Sequence, residues 1–81
     1  MNLSYTVERE GMRISGHVTA FDTRAAEHLL AAARMRAQRL RINYEGGCCV
    51  RYRTVLEAEA EVEAYEDMIE QAEAQKGGAA Q

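Results

Sequence analysis

A chain of 81 residues makes one domain, and a domain of that size buries only about 60–65% of the surface its unfolded form exposes. Its two cysteines are adjacent, at Cys48 and Cys49, and its two histidines, His17 and His28, are far apart, which excludes a disulfide framework and zinc spacing and leaves stability to packing or self-association. No apolar run approaches the roughly 20 residues of a membrane span, and "MNLSYTVERE" lacks a basic start followed by an apolar stretch, so a reducing, cytoplasmic setting without membrane contact is expected.

The formal net charge of −3 hides a division. Residues 1–56 carry nine arginines against five acids (Glu8, Glu10, Asp22, Glu27, Glu45), whereas residues 57–81 carry one lysine against eight acids. Opposite charge in the two parts of one small chain points to function through charged surfaces.

The chain opens with strict alternation. Leu3, Tyr5 and Val7 face one way over residues 3–9, and Met12, Ile14, Gly16, Val18 and Ala20 do so over residues 12–20. Glu10-Gly11 suits a two-residue turn, since glycine accepts positive φ. That turn pairs Val7 with Ile14, Tyr5 with the bare Gly16, and Leu3 with Val18, while Glu8 meets Arg13 on the outer face.

Asp22 is positioned as an N-cap for "TRAAEHLLAAARMRAQ", in which Ala26, Leu29, Leu30, Ala33 and Ala37 form a helical stripe. Arginines collect toward the end of this helix, where the macrodipole favours cations.

Beyond it, Leu40, Ile42 and Tyr44 alternate with Arg41, Asn43 and Glu45. A three-residue loop at Glu45-Gly46-Gly47 pairs Tyr44 with Cys48, Ile42 with Val50 and Leu40 with Tyr52, predicting a second hairpin. Arg39, Arg41, Arg51 and Arg53 would then share its outer face, with Arg41 across from Arg51 and Arg39 across from Arg53. Cys48 would fall on the core side as a small hydrophobe.

Thr54-Val55-Leu56-Glu57 has the form of a capping box, so the last helix is expected to start there. Its apolar face is Val55, Ala58, Val62, Tyr65, Ile69 and Ala72, with Met68 beside it. The tail, residues 77–81, reads as flexible, leaving 1–76 as the folded domain. The predicted architecture is α+β, ββαββα: a four-stranded antiparallel sheet with two helices on one face.

Two charged constellations are candidate partner-binding sites. The arginine face (Arg39, Arg41, Arg51, Arg53) can grip phosphates or carboxylates bidentately. The last helix carries Glu59, Glu63, Glu66, Asp67, Glu70 and Glu73, with like charges four residues apart at Glu57–Glu61, Glu59–Glu63, Glu63–Asp67 and Glu66–Glu70. Each such pair costs an isolated helix about 0.2–0.5 kcal/mol, and the column reads as an ordinary solubilising face, as a surface for a basic partner, or as acids neutralised by the chain's own arginines. His17 near Ser4 and Asp22 does not make a catalytic triad, because neither a nucleophile elbow nor an oxyanion loop accompanies it. Neither a metal nor a cofactor is expected, and the chain reads as a non-enzymatic interaction protein.

The stretch "YTVEREGMRISGHVTAFDTRAAEHLLAAA" resembles small phage-encoded anti-CRISPR proteins, some of which open with a "VER-x-G" hairpin leading into an Ala-rich helix. The resemblance implies a stoichiometric inhibitor, in the host cytoplasm, that blocks a nucleic-acid-binding groove of a CRISPR effector complex. The acidic helix is what such a groove would meet. The alternatives are a nucleic-acid-binding module using the arginine face, which the overall acidity disfavours, and a small dimeric bacterial adaptor. Open sheet edges and a thin core also allow a homodimer.

Overall fold

The computed structural model describes the backbone of residues 1–79 and the side chains of residues 1–75. It holds two strands, β1 (Asn2–Arg9) and β2 (Met12–Thr19), followed by two long helices, α1 (Thr23–Glu45) and α2 (Tyr52–Ala79).

The hairpin forms in the expected register, with Val7 opposite Ile14, Tyr5 opposite Gly16 and Leu3 opposite Val18. Glu10 and Gly11 both take positive φ, at 50° and 80°, the signature of a type I′ turn. A Cβ at position 16 would run into the Tyr5 ring, so glycine is what lets that ring lie flat across β2. Every outer-face pair is also bonded across the strands. Thr19 donates to Asn2 at 3.0 Å, Ser4 Oγ pairs with His17 Nδ1 at 2.9 Å, Thr6 with Ser15 at 3.1 Å, and Arg13 sits 3.6 Å from Glu8. His17 thus serves a side-chain ladder. Asp22 caps α1 as its position suggests, its Oδ1 accepting the Ala25 N–H at 2.8 Å.

The second hairpin does not form, and the sheet has two strands rather than four. Residues 40–45 continue α1 instead. Leu40 and Tyr44 fit a period of two, but they also extend the buried series Ala26, Leu30, Ala33 and Ala37 in steps of three and four. A helical stripe of six positions outweighs an alternation of three. The helix also avoids setting Arg41 across from Arg51 and Arg39 across from Arg53.

Gly46-Gly47 ends the helix rather than turning a hairpin. The Gly47 N–H donates to the Tyr44 carbonyl at 3.2 Å and the Cys48 N–H to the Asn43 carbonyl at 2.9 Å, with Gly47 at φ +86°. This is a Schellman cap, whose left-handed position glycine fills without strain. Cys48, expected in the core, is exposed in the connecting loop, as is Cys49.

α2 starts at Tyr52, two residues before the expected capping box, with the Arg51 carbonyl accepting the Thr54 N–H at 3.0 Å. The flexible tail expected over 77–81 meets a helix that runs to Ala79; residues 80–81 lie outside the described residues.

α2 is the middle layer, with the hairpin on one side and α1 on the other. Leu56 and Ala60 pack with Ile14 under the turn end of the hairpin. Ala64, Tyr65 and Met68 join Val18 and Ala20 to Ala26, Leu30 and Ala33 of α1. The short side chains of Ala26, Ala33 and Ala64 let the two helices pack closely. The molecule is elongated, 51 × 25 × 17 Å.

Three tyrosines tie this packing to pH. Burial pushes the Tyr5 and Tyr65 phenols above their ordinary value of 10.0, and a hydrogen bond to Glu10 is the main cause of the same shift at Tyr52. The folded chain therefore holds these protons more tightly than the unfolded chain does. Their contribution to stability is intact below about pH 10 and lost as pH rises through the raised folded values. The melting temperature followed by circular dichroism should fall above that pH; a value flat across pH 9–11 would contradict the assignment.

Candidate interaction surfaces

The acidic helix and the arginines largely answer each other. Arg41 grips Glu59 with two nitrogens, Nε to Oε2 at 3.1 Å and Nη2 to Oε1 at 2.9 Å. Arg34 reaches Glu66 at 2.8 Å and Arg36 reaches Glu61 at 2.8 Å. Position 41 faces 59 and position 34 faces 66, so seven residues forward in α1 is seven back in α2, as antiparallel packing requires. Arg9, at the end of β1, pairs with Glu63, and Arg53 lies 3.4 Å from Glu57. The internal neutralisation that the charge pattern left open is thus built into the fold.

The arginine face does not exist as a face. Arg41 lies between the helices, its guanidinium 5.7 Å from the Tyr52 ring centroid, and its hydrogen bonds to Glu59 hold its proton more firmly than usual. Arg53 stands on the first turn of α2 and also donates to the Arg13 carbonyl at 3.2 Å. Arg51 is exposed in the loop and Arg39 is exposed on the outside of α1. No carboxylate lies within 4.0 Å of either, among the described residues.

The six candidate acids divide. Glu59, Glu63 and Glu66 are engaged by arginines. Asp67, next to Glu66, and Glu70 and Glu73, one and two turns further on, are exposed, and no described cation lies within 4.0 Å of them. Asp67 and Glu70 border a shallow depression with Gln71 and Ala74.

A second surface escaped the sequence reading. Phe21 is 92% exposed, Met35 64% and Ile42 59%, all along the outside of α1 and its approach. Phe21, His28, Met35 and Ile42 follow one another at seven-residue steps, a signal present in the sequence but hidden once residues 40–45 are assigned to a strand. Met35, Gln38, Arg39 and Ile42 border a groove there.

Among the described residues, no three His, Cys, Asp or Glu side chains converge as metal ligands, and no helix is long and apolar enough to cross a membrane. Compared with family models, characterised proteins and solved structures, the chain matches none.

Proposed function

We propose that this chain is a non-enzymatic interaction protein of the kind the anti-CRISPR resemblance implies: a small inhibitor that presents carboxylates to a basic, nucleic-acid-binding groove of its target. The observation that supports it is that Asp67 and Glu70, just past the Arg34–Glu66 pair, are exposed and have no ion-pair partner among the described residues. The contact is therefore smaller than the whole acidic column, because Glu59, Glu63 and Glu66 already hold arginines. Against nucleic-acid binding by the chain itself stands the internal pairing of Arg41 and Arg53, which leaves no contiguous arginine patch.

Asp67→Lys with Glu70→Lys tests this. Both positions are exposed, so the circular dichroism spectrum should stay unchanged. In a pull-down from the native host read by mass spectrometry, the original chain should retain a basic nucleic-acid-binding protein, and the double variant should bind it at least about tenfold more weakly. Equal capture by both, or capture of no such protein, would overturn the reading.

A further inference from the structure

We propose that the outer face of α1 seats a second copy of this chain, antiparallel about a two-fold axis at Met35. The inference is independent of the acidic surface on α2.

Five of the six exposed large hydrophobic side chains belong to this helix or lie just before it, and three of them, Phe21, Met35 and Ile42, share its outer face, while Tyr44 turns to Tyr52. Grouped apolar exposure of this kind marks a contact surface, whereas scattered single residues do not. The seven-residue recurrence of Phe21, His28, Met35 and Ile42 is the pattern of a helix-on-helix seam, and exposed Ala31 and Ala32 between them permit close approach.

Charge selects the orientation and the register. Arg24 and Arg39 stand on this face, and among the described residues neither has a carboxylate within 4.0 Å. A parallel pair of helices would set Arg24 against Arg24 and Arg39 against Arg39. An antiparallel pair with its axis midway between His28 and Met35 would set Arg24 against Arg39. With the axis at Met35, Arg24 instead meets the exposed Glu45 of the second copy, and the symmetry repeats the ion pair at the other end. The two Arg39 side chains then stand eight positions apart, about 12 Å along the helix, and each lies over Ala31 and Ala32 of the other copy.

The same alignment matches the apolar groups. Met35 packs on Met35, Ile42 covers His28, and Phe21 reaches the loop after α1 in the second copy. Helix α1 is about 35 Å long, and a stripe one helix wide falls short of the roughly 800 Å² per partner of a standard interface. The dimer is therefore a weak one that dissociates on dilution.

Sedimentation velocity from about 10 µM to about 1 mM should show monomer passing to dimer, and Met35→Glu should raise the dissociation constant at least about tenfold while circular dichroism stays unchanged. In a Cys48→Ser, Cys49→Ser background, Met35→Cys should oxidise readily to a covalent dimer, while Gln71→Cys on α2 should not. A monomer throughout with equal, slow cross-linking at both positions overturns the proposal. So does a dimer indifferent to Met35→Glu, which would point to the open edges of the hairpin. A monomer whose Phe21, Met35 and Ile42 bind anionic lipid vesicles would overturn it in favour of a membrane surface.

Discussion

Ile14→Ala should destabilise the fold by about 2–5 kcal/mol, the range for truncating a large aliphatic side chain in a well-packed core. Ile14 is 1% exposed and lies against Leu56 and Ala60. The cost should fall in the upper part of that range because the site cannot collapse. Ala60 offers only a methyl group, which cannot swing into the void, and the type I′ turn fixes the backbone of β2 on the other side. Total stabilities of about 5–15 kcal/mol are ordinary, and a chain this short belongs near the bottom, so much of the population should unfold at 37 °C. Urea denaturation followed by circular dichroism would measure the loss, with exposed Ile42→Ala as a control expected within about 0.5 kcal/mol. A cost below about 1 kcal/mol for Ile14→Ala would mean that the hairpin is not docked on α2.

Ala33→Leu should cost about 1–3 kcal/mol for the opposite reason. Ala33 is 1% exposed where α1 approaches Ala64 and Tyr65 of α2, and three further carbon atoms have no space there. Relief requires the helices to part. Parting them lengthens the bridges from Arg34 to Glu66 and from Arg41 to Glu59, now 2.8 and 2.9 Å. The loss should therefore come with a weaker salt dependence of stability, since the pairs that salt screens are already strained. Ala31→Leu, exposed on the same helix, adds the same atoms and should change the stability of the monomer by no more than about 0.5 kcal/mol. Equal effects at the two positions would show that the helix interface is looser than the alanine packing implies.

The N-terminal hairpin was legible in the sequence because three independent signals agreed: alternation, a glycine turn, and a register that sets Val7 against Ile14, Leu3 against Val18 and Tyr5 against the bare Gly16. The Asp22 cap was legible for the same reason, since it precedes an unbroken helical stripe. The second hairpin was misread at two ambiguous places. Leu40 and Tyr44 suit either periodicity, and Gly46-Gly47 suits either a hairpin loop or a Schellman cap; only hydrogen bonds to Asn43 and Tyr44 distinguish them. That error carried into the candidate site. With residues 39–45 read as a strand, Arg41 seemed to face solvent, and the match between Arg34, Arg41 and Glu59, Glu66 was invisible. The like-charge column on α2 left three readings open, a solvated face, a basic partner and internal neutralisation. The structure favours the last, mostly through α1, and a pairing between two helices is a long-range fact that no local pattern contains.

The middle position of α2 sets an order on synthesis. Two isolated strands are marginal in water, and α1 touches the hairpin little, so neither has its apolar face covered until α2 has been translated. The ribosome adds about 5–20 residues per second, so residues 1–51 should wait for seconds with Ile14, Val18, Leu30 and Tyr5 bare. During that interval the nascent chain is a natural client for holding chaperones. A translational pause placed just after the Gly46-Gly47 codons should lower the yield of folded protein more than the same pause placed before α1.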